Sequence, residues 1–465
     1  MKTHTRTLAR CTSLLAVPLL TIGCASTGSV PAGRPPAQAS AILGSISADR
    51  LESDLQTLVN FGTRHTLSET ESETRGIGAA RRWIEREFQQ IAASSGRTGS
   101  EAIRVEMDRH RVEPDGRRIT ERVEVVNPML IIPGSMPEAR GRHYYVVAHY
   151  DSRASDPNDF TSDAPGANDD GSGTALTIEL ARVFAEHRFD ATIVFMPVAG
   201  EEQGLFGSRL HAKNAKDRGV NIAGVLSNDT VGDPTSPDGN RYADRVRVFS
   251  EGIPVNATAE EAAAIRRLGA ENDSPSRQLA RFIAETGAWH GLDVQPALIN
   301  RPDRFLRGGD HTGFNEAGYA AVRFCEYRED YNRQHQDVRI EDGVRYGDDA
   351  EFVDPAYLRD VAQLNAAALA HLANAPGAPG DARLIAAALA DDTTIRWTKR
   401  PEPDVAGYEI MIRETTEHQW RTLADVGDVD EATVPFSKDN WFFGVRAYDG
   451  DGYRSVVAFP GAAKE

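Results

Sequence analysis

The feature that most limits how this chain can fold is a series of near-continuous apolar runs: HYYVVAHY, ATIVFMPVAG, NIAGVLSND and AAVRFCEY. An unbroken apolar run of strand length is expected where both faces of a sheet are covered. Between these runs lie segments with helical periodicity. ALTIELARVFAEH sets Leu176, Leu180, Val183 and Phe184 on one face, SPSRQLARFIAET is helical, and PAYLRDVAQLNAAALAHLA forms a long closing helix. Strand–helix alternation of this kind predicts an α/β fold with a doubly wound, mostly parallel sheet flanked by helices. Such sheets bind ligands at the carboxyl ends of their strands. His149 and Asp151 end one predicted strand, Glu201 and Glu202 follow the next, and Asp229 follows a third.

The rest of the chain divides by composition. Residues 1–24 have a basic start (Lys2, Arg6, Arg10) and the apolar run LLAVPLLTIG, too short to span a bilayer. The run ends in Gly23-Cys24, similar to a bacterial lipoprotein cleavage site, although Thr21 stands where an aliphatic residue is usual. The predicted destination is outside the cytoplasm: anchored by a lipid on Cys24 in an outer membrane facing the periplasm, or free in the periplasm or medium after removal of a plain signal. Residues 25–45, rich in Pro, Gly, Ser and Ala, read as a flexible tether. Residues 46–375 form the catalytic unit. It opens with a helix capped by Ser47 with Leu51, Leu55 and Leu58 on one face. A linker at 376–382, in ANAPGAPGDA, leads to residues 383–465, whose short alternating runs and spaced aromatics predict a small all-β sandwich. Trp397, Tyr408, Trp420 and Tyr448 are expected in its core rather than on a ligand. A chain cut after Pro376 is expected to remain folded and active.

The formal net charge of −17 argues against nucleic acid as a partner. Of the three cysteines, Cys11 and Cys24 lie in the leader, and Cys325 sits in an apolar run as a small buried hydrophobe. No disulfide framework is predicted.

The acids and imidazoles at the strand ends suit a metal centre. In His149-x-Asp151, the histidine can bind a metal while the aspartate orients its ring; alone, the pattern reads first as a strand-end histidine hydrogen-bonded to a neighbour. In PGANDDGSG the glycines allow a tight turn that aims Asp169 into the crevice, where its carboxylate can bridge two cations. Glu201 and Glu202 point in opposite directions on an extended chain, so Glu202 can bind metal while Glu201 serves as general base. Asp229 in SNDTVG adds a carboxylate, and His311 in the Gly-rich GGDHTGF is taken as the second imidazole, with Asp310 as its support or a turn residue. The donor set suits zinc, with cobalt or manganese as substitutes. The remaining histidines, His335 among them, stand in no comparable setting and read as surface or packed residues.

Taken together, FGTRHTLS, HYDS, PGANDDGSG, AGEEQGLFGS, NDTVG and the late GGDH resemble the di-zinc aminopeptidases of peptidase family 28, across roughly Ile46 to Ala375. The resemblance implies the zinc-dependent exopeptidase fold and two Zn²⁺ ions, with His149 and Asp229 on one, Glu202 and His311 on the other, and Asp169 bridging. It makes Glu201 the catalytic base, Asp151 the partner of His149, and peptides with a free N-terminus the substrate. It also implies a non-proline cis peptide at Asp169-Asp170. Tyr327 and Tyr331 are candidates for the specificity pocket or oxyanion contact. Two other functions are compatible with such a fold: a single-zinc acyl transferase similar to glutaminyl cyclase, and a non-catalytic receptor or adhesion protein. The C-terminal unit resembles a fibronectin type III module.

Overall fold

The computed structural model describes residues 31, 33–386 and 390–463. The predicted leader and Cys24 lie outside the described residues. Nine α-helices run α1 (Ala37–Gly44), α2 (Ala48–Val59), α3 (Gly76–Ser94), α4 (Ser172–Ala185), α5 (Phe206–Asp217), α6 (Ala259–Arg267), α7 (Pro275–His290), α8 (His311–Glu316) and α9 (Pro355–Asn374) among the described residues. The strands of the main sheet are β1 (Arg104–Val112), β2 (Val123–Ile132), β3 (Arg142–His149), β4 (Thr192–Val198), β5 (Asn221–Asn228), β6 (Arg245–Ser250), β7 (Gln295–Ile299) and β8 (Ala321–Glu326).

Their order is β1-β2-β4-β3-β5-β8-β6-β7. The middle, β4-β3-β5-β8, is parallel throughout, while β1, β2 and the β8–β6 pair are antiparallel. The sheet is therefore mixed, with its parallel part at the centre, where the longest apolar runs lie. Alternate residues of those runs serve opposite faces. On β3, Tyr144 and Val146 join the core under α2, α3, α4, α7 and α9, while Tyr145 and Val147 join the core covered by α5 and α8. Small side chains bring α9 close to its neighbours: Ala366, Ala367, Ala368 and Ala370 are fully buried, and the helix packs against α1, α2, α4 and α7.

Two predicted boundaries move. The tether expected to run to residue 45 contains α1, which buries Ala39, Ile42 and Leu43, and the Gln363 side chain donates to Leu43 O at 3.1 Å. Its small-residue composition looks like a linker, but Ile42 and Leu43 find an apolar face on α9. The linker expected at 376–382 already contains the start of a strand. After a short hairpin, β9 (Arg339–Glu341) and β10 (Val344–Tyr346), the C-terminal unit is built from β11 (Gly380–Ile385), β12 (Thr393–Thr398), β13 (Val405–Glu414), β14 (Arg421–Gly427), β15 (Glu431–Val434), β16 (Trp441–Asp449) and β17 (Gly461–Ala463). These form two small sheets, β15-β12-β11-β17 and β14-β13-β16. Trp397 and Tyr408 fill the space between them with ring centroids 5.5 Å apart.

The C-terminal unit is also not the separable appendage its composition suggests. Trp420 is buried against the catalytic unit, its indole donating to Gln278 Oε1 at 2.8 Å. Asp273 receives Arg281 at 3.1 Å from its own unit and Arg413 at 2.5 Å from the sandwich, with the Asp273 side chain wholly buried. Arg446 pairs with Glu285 at 2.7 Å and Arg142 with Glu402 at 2.5 Å. Removing one partner of a buried pair strands the other charge, which costs about 3–5 kcal/mol. Asp273→Ala is accordingly expected to lower the unfolding free energy by about 3 kcal/mol or more in chemical denaturation. Truncation after Pro376 is expected to abolish cooperative thermal unfolding, and a truncated chain that melts like the full one would contradict this account.

Candidate metal centre

Because β4, β3 and β5 run parallel, their carboxyl ends reach one edge of the sheet together. His149 is the last residue of β3 and pairs in register with Val198, the last of β4. Gly200 turns the chain with φ +76° and delivers Glu201 and Glu202; Asp229 follows β5 directly. Asp169 arrives on the turn Ala167–Gly171 that precedes α4. That turn is entered through Gly166 at φ +51°, where a Cβ would lie 2.5 Å from Ser152 Cβ, so no larger residue fits.

The geometry centres on Asp169. Its Oδ1 lies 3.1 Å from His149 Nε2, and its Oδ2 lies 2.9 Å from His335 Nε2. His335 Nε2 is also 3.0 Å from Glu202 Oε1, and His149 Nε2 is 3.9 Å from Asp229 Oδ1. Two sets of potential ligand atoms result, each within 4.8 Å of one another: His149, Glu201 and Asp229, and Asp169, Glu202 and His335. His149 Nε2 and Glu202 Oε1 are buried without a well-formed hydrogen bond among the described residues.

The surrounding groups position these atoms. His149 Nδ1 meets Asp151 through the backbone carbonyl at 3.0 Å, with the carboxylate at 3.6 Å. That carboxylate also accepts from Glu201 N at 3.3 Å and Glu202 N at 3.2 Å, so Asp151 aligns both the histidine and the glutamate pair. Asp348 accepts from the backbone of Asn168 and Asp169 at 2.8 and 2.7 Å. The Asp169-Asp170 peptide is cis, as the resemblance implies, and Asp170 turns inward to accept from His149 N at 3.1 Å. Burial alone would raise Asp169, but the rings of His149 and His335 outweigh it and hold the carboxyl well below its ordinary range. Glu201 goes the other way: burial, reinforced by Glu202, Asp229 and Asp310, pushes it well above the usual carboxylate range against the pull of His149. Burial and the neighbouring acids push Asp310 up to about 7.

Four of the five ligands proposed from sequence, His149, Asp169, Glu202 and Asp229, meet here; His311 does not. It opens α8, with Nε2 2.7 Å from Pro302 O and 3.6 Å from Asp303 Oδ2, and belongs to neither set. The second imidazole is His335, which sequence reasoning set aside because no apolar run precedes it. It lies on the irregular segment after β8, the fourth strand of the parallel centre, so the signal for it is position behind that strand and not local pattern. Gln334, its neighbour, donates to Asp169 Oδ2 at 2.7 Å. Tyr331 lines the cleft, whereas Tyr327 packs on Tyr242 with ring centroids 4.9 Å apart and lines no part of it. Two further residues escaped the sequence reading. Arg64 of FGTRHTLS is fully buried and donates to Tyr150 O at 2.7 Å, Pro165 O at 2.5 Å and Gly166 O at 2.8 Å, tying the end of β3 to the Asp169 turn. Arg323 lies 2.9 Å from Asp229 Oδ1.

The site opens into a cleft of about 800 Å³. An α/β sheet whose strand ends gather buried imidazoles and carboxylates around a shared aspartate defines a metal-dependent hydrolase. Residues 130–368 match the model of peptidase family M28, and the chain belongs to that family. A relative from Leptosphaeria maculans, named "Probable zinc metalloprotease", is 44% identical, over 92% of this chain and 97% of its own length. Among solved structures, LapB from Legionella pneumophila superposes with a TM-score of 0.51 at 16% identity, over 74% of this chain and 77% of its own. An aminopeptidase from Aneurinibacillus sp. strain AM-1 gives 0.50 at 15% identity, over 72% and 96%. Both likenesses are of fold.

The two histidines can be told apart experimentally. His335→Ala is expected to lower the metal bound per chain, measured by elemental analysis after dialysis, while His311→Gln leaves it unchanged. The reverse pattern would restore His311 as the ligand.

Proposed function

We propose that this chain is a zinc-dependent aminopeptidase that holds two metal ions and removes N-terminal residues from peptides. The observation that carries the proposal is the Asp169 carboxylate, whose two oxygens face the two histidines at 3.1 and 2.9 Å. The donor set suits the metal: imidazole nitrogens and carboxylate oxygens, mostly buried, with His149 Nε2 and Glu202 Oε1 making no well-formed hydrogen bond among the described residues. His149, Asp229 and Asp169 Oδ1 would hold one ion; Asp169 Oδ2, Glu202 and His335 the other. Bound there, a divalent pair supplies Lewis acidity to a water and to the scissile carbonyl.

That division leaves Glu201 free as the proton carrier. A carboxylate at the crevice that neither ion takes up suits a group that takes a proton from water and returns it to the leaving amine. Asp151, through the Glu201 amide, holds it at the crevice. The relative's zinc metalloprotease name and the aminopeptidase title of the structural neighbour agree with this reading. Export belongs to the same proposal: residues 1–24 direct the chain out of the cytoplasm, with Cys24 as the point of lipid attachment.

Purified protein is expected to carry two zinc ions per chain and to release p-nitroaniline from amino-acid p-nitroanilides. Glu201→Gln should keep both ions while turnover falls by about 10²–10⁴-fold. Full turnover in that variant would remove Glu201 as the base, and a single ion per chain would remove the two-metal arrangement.

A further inference from the structure

Arginines gather at the cleft of a chain that is acidic overall. With 69 acidic against 52 basic residues, a cation on this protein has no shortage of partners. Yet Arg118, Arg153, Arg209, Arg304 and Arg307 all line the cleft. Two of these are neutralised: Arg209 by Glu316 at 2.9 Å, and Arg304 by Asp303 at 3.1 Å and Glu329 at 2.5 Å.

Among the described residues, Arg118 and Arg153 have no ion pair and Arg307 has only a long one. Arg153 donates to Ala154 O at 3.1 Å and Ser155 O at 2.9 Å, and Arg118 donates to Glu202 O at 2.5 Å; all three acceptors are backbone carbonyls. Arg307 reaches only to 3.9 Å from Glu329, a carboxylate already engaged by Arg304 and by Arg247 at 2.6 Å, and lies over the Tyr331 ring at 5.7 Å. Among the described residues, no acid lining the cleft pairs with Arg118, Arg153 or Arg307. Asp303 is taken by Arg304 and Arg323, and Asp169, Glu201, Glu202 and Asp229 supply the two sets of potential ligand atoms, where a bound divalent pair would offset their charge. Arg153 also follows closely on His149 and Asp151, so its charge is attached to the segment that carries the reacting groups.

We propose that Arg153 and Arg307 bind a substrate carboxylate, making this enzyme selective for peptides with an acidic group near the scissile bond. A guanidinium presents a planar donor fork matched to a carboxylate, and such charge-assisted contacts are about twice as strong as neutral ones. The carboxylate is either an Asp or Glu side chain or the free C-terminus of a short peptide. The inference rests on the peptidase reading above and assigns the substrate class of that same site.

The test uses matched peptides, Glu against Gln at each position beside the cleaved bond, and free acid against C-terminal amide in di- and tripeptides. The acidic member of one pair is expected to show kcat/KM about tenfold above its neutral match, and added salt should shrink the ratio. The side-chain and chain-end pairs tell the two sources apart. Arg153→Gln and Arg307→Gln should each reduce the ratio, and Arg153→Lys should restore part of it. Equal kcat/KM across every pair, or a ratio that neither glutamine variant moves, overturns the inference while the peptidase reading stands. Binding of the same pairs to zinc-loaded Glu201→Gln protein, followed by calorimetry, reads the arginines without turnover. If wild-type protein cleaves nothing while this variant still prefers the acidic member, the peptidase reading fails and the carboxylate site stands; no preference in binding overturns the site itself.

Discussion

One carboxylate, that of Asp169, has to face two imidazoles at once, and much of the catalytic unit is arranged so that it can. His149, Asp169, Glu202 and Asp229 are all nearly or wholly buried. Like charges brought together away from water repel strongly and lose their hydration. The fold meets this cost with fixed partners: Asp348 on the backbone of the Asp169 turn, Gln334 on its Oδ2, Arg64 across the turn, and Arg323 on Asp229. A site of this kind favours cations because its carboxylate oxygens and imidazole nitrogens are aimed at the same small volumes.

The sandwich is tied to this machinery by buried charge rather than by an apolar seam alone. Gln278, Arg281 and Glu285 recur on α7 at the spacing of one helical face, and each meets a residue of the C-terminal unit: Trp420, His418 and Arg446. The opposite side of the same helix places Leu279 and Ile283 in the main core. A helix face that reads as solvated in sequence is thus an interface, and the polar residues on it specify how the two units meet.

The alternation of apolar runs and helices made the sheet legible, because a strand covered on both faces carries mostly apolar side chains. It made most of the site legible too, since parallel strands must deliver their ends to one edge. The edges of the sheet were less readable. β1 and β2 pair antiparallel, and which neighbour a strand chooses is not written in its own periodicity. His335 stayed hidden for a related reason: the segment holding it has no regular structure, and its ring reaches the centre only because the chain after β8 folds back over the crevice. His311, with better local credentials on a Gly-rich loop, is turned aside by the start of α8 toward Pro302 and Asp303. In α1, Ala39, Ile42 and Leu43 of a segment of linker-like composition became core because α9 offered an apolar surface.

What the amino-acid sequence determined by itself was the class of fold and the carboxylates that follow its central strands, since both depend on patterns within a few residues of one another. Membership of family M28 is carried by the same local motifs. Only the tertiary structure decided which second histidine completes the cluster, where the catalytic unit begins, and that the sandwich is locked to it through Asp273 and Arg413. Those are contacts between residues far apart in the chain, and their energy depends on burial, which local sequence does not record.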